Sequence, residues 1–241
     1  MTARAARVLV VGLGGLGCPC ALALARAGVG TLRLCDDDVV DETNLARQIL
    51  FDESSVGKSK LDEAERALAR EAPATKIEKT PTRFLPARAK ELLGGCDVVV
   101  EGADNFATKF LVADACAIAR VPVVHAAGVK WRGTALAVSA EGRPCYRCVF
   151  EDLPGARWPR APNCVDDGVF GPMLGVVGAL QADLALALLD GRDVGGTFVA
   201  YDARVSRIED ALRRKRLHAR KGCELCDARS IDDLDERRYK G

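Results

Sequence analysis

Apolar and polar positions follow two rhythms along this chain. After Arg7 comes the run Val8-Leu-Val-Val11, which stops at Gly12. An apolar, mostly β-branched run of that length reads as a parallel strand buried on both faces. Gly14 to Gly28 has Ala and Leu through its middle and a glycine at its C-terminal end, which predicts a helix. Thr31 to Cys35 predicts a second strand, closed by Asp36-Asp37-Asp38. A charged amphipathic helix over Lys58–Arg70, a third strand over Lys76–Thr80 and a short helix over Pro86–Leu93 follow. Asp97–Val100 predicts a fourth strand, ending at Glu101-Gly102; Phe106–Arg120 predicts a helix and Val121–Val124 a fifth strand. Strands alternating with helices imply a parallel sheet covered on both faces.

Beyond His125 the rhythm changes. Thr134–Ala140, Thr197–Asp202 and Arg204–Ile208 read as strands of an antiparallel extension. The apolar stretch Pro172–Leu189 contains Gln181 and Asp183, and so reads as a buried core helix rather than a membrane span. Glu151–Gly168 holds three prolines and several charges and is expected to be a mobile crossover loop. Ser230–Gly241 reads as a charged, solvated tail. The expectation is one domain over residues 1–241, an α/β Rossmann-like, doubly wound, mainly parallel sheet with an antiparallel C-terminal extension.

Composition narrows the function. The 241 residues are 49% hydrophobic, enough for a large core. Lys+Arg total 35 against 34 Asp+Glu, a net charge of +1, so no general nucleic-acid binder is expected. Only 5% of residues are aromatic, which also disfavours a single-strand stacking platform. Met1–Arg7 leads into a strand with no cleavage site after it, so a cytoplasmic location is expected. In that compartment the ten cysteines are not expected to form a disulfide framework.

The chemistry gathers after the first two strands. Gly12-Leu-Gly14-Gly15-Leu-Gly17 follows a strand and opens a helix, an arrangement that brings backbone N–H groups and a helix dipole to a phosphate. Asp36, at the end of the next strand, stands where a carboxylate commonly binds a ribose hydroxyl. This much is shared with nicotinamide-dependent enzymes. The loop Asp36–Gln48 then adds Asp38, Asn44, Arg47 and Gln48, and Lys60 opens the next helix. Hydride transfer needs no such cations, whereas a triphosphate does, because Arg and Lys neutralise and orient its oxygens. Asp104-Asn105 follows the fourth strand, on the side where such sheets bind ligands, and Asp104 is placed to hold Mg²⁺ beside a triphosphate.

Together these segments resemble the E1-like activating enzymes, the ThiF, MoeB and HesA type. The matching motifs are GLGGLG (Gly12 to Gly17), DxD…NLxRQ (Asp36 to Gln48), GxxK (Gly57 to Lys60) and DN (Asp104, Asn105). To these are added CxxC at Cys145/Cys148, the segment Asn163–Ala182, and a second CxxC at Cys223/Cys226. The resemblance spans residues 7–226. It implies an adenylyltransferase that uses ATP and Mg²⁺ to join AMP to the C-terminal glycine of a small ubiquitin-like sulfur carrier ending in Gly-Gly. Gly12, Gly14, Gly15 and Gly17 would cradle phosphate, Asp36 would hold the ribose, and Asn44, Arg47, Gln48 and Lys60 would contact the triphosphate. Asp38 and Asn105 would complete the nucleotide site. Arg47, Lys60 and Asp104 are the expected catalytic set. Such enzymes work as homodimers, and some draw sulfur from a persulfide donor protein. They also carry an N-terminal Arg that reaches across the dimer; Arg4 and Arg7 are the nearest candidates here, and Lys109 stands where an Arg often follows the DN pair.

Four cysteines in two CxxC pairs suit a closed structural Zn²⁺ site, Cys145, Cys148, Cys223 and Cys226, provided the fold closes the 74 residues between the pairs. Cys164, in the proline-rich loop, matches a position that links covalently to the carrier in ThiF-like enzymes, although Asp166 and Asp167 beside it would raise its pKa. His125 reads as a satisfied core or loop histidine, and Trp131 and Trp158 as packing groups within reach of a carrier's tail. Three other readings stay open: a nicotinamide-dependent oxidoreductase, adenylation of a tRNA base or peptide carboxylate, and a catalytically silent scaffold subunit.

Overall fold

The computed structural model describes residues 3–153 and 168–239. An eight-stranded sheet runs through them in the order β3-β2-β1-β4-β5-β6-β7-β8. The strands are β1 (Arg7–Val11), β2 (Thr31–Cys35), β3 (Lys76–Thr80), β4 (Val98–Glu101), β5 (Val123–Val129), β6 (Arg132–Val138), β7 (Thr197–Asp202) and β8 (Leu212–Arg216). β1 to β5 pair in parallel and β6 to β8 continue antiparallel. The chain reverses its winding between β1 and β4, which makes the crevice above their C-terminal ends the expected ligand site of a doubly wound sheet. The apolar runs end up where their composition sends them: β4 is buried throughout, and β1 after its first residue.

Helices cover both faces. One core cluster joins the sheet to α1 (Gly17–Arg26), α2 (Lys60–Glu71) and the long helix Gly171–Leu189, numbered α6 below; a second joins it to α3 (Pro86–Leu93) and α4 (Phe106–Ala119). The short α5 (Arg147–Phe150) precedes the crossover, and α6 follows it. Among the described residues α6 is the single helix long and apolar enough to cross a membrane, and it is packed against α1 and strands β4 to β6. Its Gln181, fully buried, donates from Nε2 to the carbonyls of Glu101 and Val124, both at 2.8 Å, and so ties α6 to the end of β4 and the start of β5.

Three expectations need correction. The strand expected at Arg204–Ile208 is a turn and a short helix, α7 (Ile208–Ala211), and β8 lies at Leu212–Arg216 instead. β5 runs on to Val129, because β6 turns back and pairs along its whole length. The tail expected to be solvated is docked as far as Tyr239: Ile231 and Tyr239 are buried, and the Tyr239 hydroxyl donates to Asp114 Oδ2 at 2.8 Å. The expected crossover loop falls almost wholly within 154–167, with Cys164 and Trp158, outside the described residues.

Candidate functional site

The glycine loop stands at the switch point. Gly12 takes φ +86°, in the left-handed region that favours glycine, and donates its N–H to the Cys35 carbonyl at 2.9 Å. A Cβ on Gly17 would lie 1.9 Å from the Gly12 carbonyl oxygen, so the loop can close onto the first turn of α1 only without one. A Cβ on Gly15 would meet Leu174 Cδ1 at 2.4 Å and Arg47 Cγ at 3.3 Å. Gly14 is different: nothing lies within 4 Å of where its Cβ would be. The loop is therefore closed on the protein side and open at Gly14, at the N-terminal end of α1 where unpaired amides and the helix dipole favour an anion.

Asp36 fixes this loop to the end of β2. Its Oδ2 accepts the Leu13 N–H at 2.7 Å and its Oδ1 the Asp38 N–H at 2.9 Å. Each carboxylate oxygen keeps a further acceptor position, which suits ribose hydroxyls. Asp41 caps a short 3₁₀ turn, Glu42–Asn44, by accepting from Thr43 N–H at 2.8 Å. These hydrogen bonds from Thr43 hold its carboxyl below the ordinary range, with Arg47 and Lys60 acting the same way. The turn delivers Asn44, whose Oδ1 accepts from Arg47 Nη2 at 2.6 Å, while Arg47 Nη1 donates to the Thr43 carbonyl at 2.8 Å. Asn44 thus orients Arg47 beside Gly15. Gln48 is buried, and its Oε1 has no partner among the described residues, an acceptor position left to be filled.

Lys60 reaches the same place from α2. Ser59 caps that helix, and Lys60 N–H donates to the Asp38 carbonyl at 3.1 Å. The Lys60 side chain is 6% exposed, and its Nζ lies 2.9 Å from Asp38 Oδ2. A buried ammonium is tolerated only when paired. Asp38, expected to meet the nucleotide, is here the partner that holds Lys60.

Asp104 and Asn105 sit on the β4–α4 turn. Asn105 caps α4, its Oδ1 accepting the Thr108 N–H at 2.8 Å. Asp104 is exposed and makes no side-chain hydrogen bond or ion pair among the described residues. A free carboxylate at this edge fits a hard divalent cation held jointly with substrate phosphates. Arg7 pairs with Glu78 at 3.3 Å at the opposite, N-terminal end of β1, so it does not serve this site within its own chain.

Beneath the Asp104 turn lies a network that sequence patterning did not single out. Glu101 is fully buried and accepts from Ala103 N–H at 2.6 Å, from Lys109 Nζ at 3.1 and 3.2 Å, and pairs with His125 Nδ1 at 3.1 Å. Burial alone would raise the Glu101 carboxyl; Lys109 and His125 more than offset it and hold the group below its ordinary value. In the sequence Lys109 and His125 stand out singly, and Glu101 only as a carboxylate closing an all-valine strand.

The two CxxC pairs come together away from this crevice. The four Sγ atoms lie within 4.8 Å of one another, with Cys145–Cys148 at 3.8 Å, Cys145–Cys223 at 3.5 Å and Cys148–Cys226 at 3.4 Å. A tetrahedral zinc with bonds of about 2.3 Å needs sulfurs roughly 3.8 Å apart, so the quartet fits that ion. Arg220 N–H points at Cys148 Sγ at 3.3 Å, a donor suited to a thiolate. Cys18, Cys20, Cys35 and Cys116 are buried, as small core residues are expected to be. Trp131, at the β5–β6 turn, is partly exposed and packs on Phe170 with ring centroids 4.6 Å apart.

The switch-point glycine loop, with Asp36, the two cations Arg47 and Lys60 and the exposed Asp104 about it, and the cysteine quartet apart are the motifs of an E1-like domain. The ThiF family profile matches residues 2–225, and the chain belongs to that family. It is 40% identical over 240 residues to the adenylyltransferase and sulfurtransferase MOCS3 of Sus scrofa, covering 98% of this chain and 51% of the relative. It is 36% identical over 235 residues to the SAMP-activating enzyme E1 of Haloferax volcanii, covering 97% of this chain and 84% of that protein. The chain thus spans about half the length of the MOCS3 relatives it matches. Among solved structures, E. coli MccB with ATP superposes with a TM-score of 0.78 at 21% identity, over 93% of this chain and 67% of that one, a likeness of fold.

Proposed function

We propose that this domain uses ATP to adenylate the C-terminal glycine of a small ubiquitin-like sulfur carrier ending in Gly-Gly, releasing pyrophosphate. The observation that carries the reading is that Arg47 packs on Gly15 of the glycine loop and Lys60 is tied through Asp38 and Asp36 to Leu13 of the same loop, while the adjoining β4–α4 turn presents the exposed Asp104. The carrier carboxylate attacks the α-phosphorus, a bond forms to the carboxylate oxygen, and the bond to the bridging oxygen of pyrophosphate breaks. Two anions must meet, and fixed cations offset that repulsion and the charge growing on the leaving group. The loop amides near Gly14 bind phosphate, Asp36 holds the ribose, and Arg47, oriented by Asn44, and Lys60, released from Asp38, face the phosphates. Mg²⁺ held by Asp104 would supply charge neutralisation across the phosphate oxygens.

The closed Cys145, Cys148, Cys223 and Cys226 quartet would hold a structural Zn²⁺ and take no part in the chemistry. Cys164 would then accept the acyl group, its thiolate displacing AMP to form a thioester with the carrier, before sulfur arrives from a persulfide donor. The domain would work as a cytoplasmic homodimer. Thiamine, molybdopterin and related cofactor routes all use carriers of this chemistry, and the pathway is named by whichever carrier is accepted.

The deciding experiment is ATP–pyrophosphate exchange with and without a Gly-Gly-ending carrier. Carrier-dependent exchange is the expected result. Tight ATP binding with no exchange on any such carrier would overturn the carrier assignment, and failure to bind ATP would overturn the phosphate site. Light scattering showing a single species at monomer mass would overturn the dimer.

A further inference from the structure

The side chains of Glu101 and Lys109 close the chain from the end of β4 to the second turn of α4 into a ring. Both are almost wholly buried, at 0% and 5% exposed. Glu101 also accepts the Ala103 N–H, and Lys109 Nζ additionally donates to the Ala126 carbonyl at 2.5 Å. Four residues stand on the outer arc of the ring, Gly102 to Asn105, and that arc carries the free carboxylate of Asp104. The arc also abuts the glycine loop: Gly102 N–H donates to the Val11 carbonyl at 3.1 Å, and a Cβ on Gly102 would lie 3.2 Å from the Gly17 nitrogen. Neither the Glu101 carboxylate nor the Lys109 ammonium can face a nucleotide directly, since both are buried beneath the turn.

A purely structural role accounts for less. A purely structural ion pair would be replaceable by apolar packing, and buried pairs are poor sources of net stability. Here the carboxylate also takes a backbone amide of the turn itself and pairs with His125, whose buried Nε2 has no partner among the described residues. Three separate elements are thus tied to one carboxylate at the root of the turn that presents Asp104.

We propose that Glu101 and Lys109 are positioning residues: their buried clasp fixes the Gly102–Asn105 turn so that Asp104 meets the divalent cation of bound ATP. The role rests on the adenylation reading above. Residues that orient a metal ligand without touching the metal commonly change its affinity by about 10–100-fold when removed. Lys109→Met strands a buried carboxylate and is expected to weaken the fold as well, so Glu101→Gln/Lys109→Met, which removes both charges, is the second variant. Lys109→Arg keeps the charge.

The test uses the full chain. Mn²⁺ binding in the presence of a non-hydrolysable ATP analogue is followed by electron paramagnetic resonance, and half-saturating Mg²⁺ by pyrophosphate exchange. The double variant is expected to fold, to bind Mn²⁺ about tenfold more weakly and to raise half-saturating Mg²⁺ by a similar factor, with Lys109→Arg close to wild type. Unchanged Mn²⁺ affinity in the folded double variant or in folded Lys109→Met overturns the clasp while leaving adenylation intact. A wild-type chain that binds no Mn²⁺ with the analogue and exchanges no pyrophosphate overturns both.

Discussion

Tyr239 and Asp114 stand 125 positions apart in sequence, yet the tyrosine hydroxyl donates to Asp114 Oδ2 at 2.8 Å inside the second core cluster. Asp114 is fully buried and also takes a two-pronged contact from Arg147, whose Nε and Nη2 each donate at 2.8 Å. Arg147 lies between Cys145 and Cys148 and places its guanidinium 4.9 Å from the Phe110 ring centroid. The last described residue, the cysteine quartet and α4 are thereby joined at one carboxylate.

That arrangement predicts unequal losses. Tyr239→Phe removes one hydrogen bond but leaves Asp114 paired, and is expected to destabilise by about 1 kcal/mol. Arg147→Met leaves a buried carboxylate without its cation and is expected to cost about 3–5 kcal/mol. Urea unfolding of the two variants checks the order. Equal midpoints would mean that the guanidinium does not compensate Asp114.

The cysteine quartet predicts one zinc per chain by elemental analysis, and opposite pH responses with and without it. Burial and the neighbouring Cys148 sulfur push the Cys226 thiol up to about 12, against about 8.5 for a free thiol. In the metal-free protein the unfolded chain therefore sheds this proton first. Stability is complete below about pH 8.5 and falls as pH rises towards about 12. Zinc binding needs thiolates, so in the loaded protein protons compete and stability falls as pH is lowered. Thermal melts across pH before and after chelation check the sign. Cys226→Ser should remove the metal and the loaded protein's acid sensitivity together.

Lys60 opens α2 and Asp104 sits on the β4–α4 turn, and under the adenylation reading each is expected to matter to the chemical step. Lys60→Ala or Asp104→Ala should lower pyrophosphate exchange by about 10²-fold, or about 2.7 kcal/mol. Asp38→Asn, which frees Lys60 from its partner, should alter the rate less than Lys60→Ala does. Cys164→Ala should leave exchange intact and abolish any carrier-linked species seen by mass spectrometry. Near-normal exchange in Lys60→Ala would remove Lys60 from the site.

Most of the parallel half could be read in advance because a strand buried on both faces leaves a continuous apolar run, as in Val8–Val11 and Val98–Val100. β8 could not. Leu212-Arg-Arg-Lys-Arg216 is exposed on both faces, so no alternation marks it, and only pairing with β7 makes it a strand. The candidate nucleotide residues stand out as motifs, since Asp36, Arg47 and Lys60 follow strand ends and open a helix at spacings that the sequence itself displays. The Glu101–Lys109 clasp does not. A charged side chain read alone is assigned to solvent, and burial becomes admissible only once its partner is known to be within reach. The same holds for Tyr239, whose partner lies 125 positions away.

The glycine loop allows the two roles of a glycine, making room for the protein and making room for a ligand, to be separated by experiment. At Gly17 the missing Cβ would stand 1.9 Å from a backbone oxygen that cannot swing away. Gly17→Ala is therefore expected to destabilise the fold by about 3 kcal/mol or more, at or beyond the upper end for overpacking. At Gly14 a Cβ would enter open space, so Gly14→Ala should fold with a wild-type melting point. If that space is where phosphate lies, the methyl group blocks the approach of the anion to the loop. The KM for ATP should then rise about tenfold, equivalent to about 1.4 kcal/mol, while the fold is untouched. A Gly14→Ala variant with normal melting and normal KM would place the phosphate elsewhere along the crevice, and with it the reacting α-phosphorus.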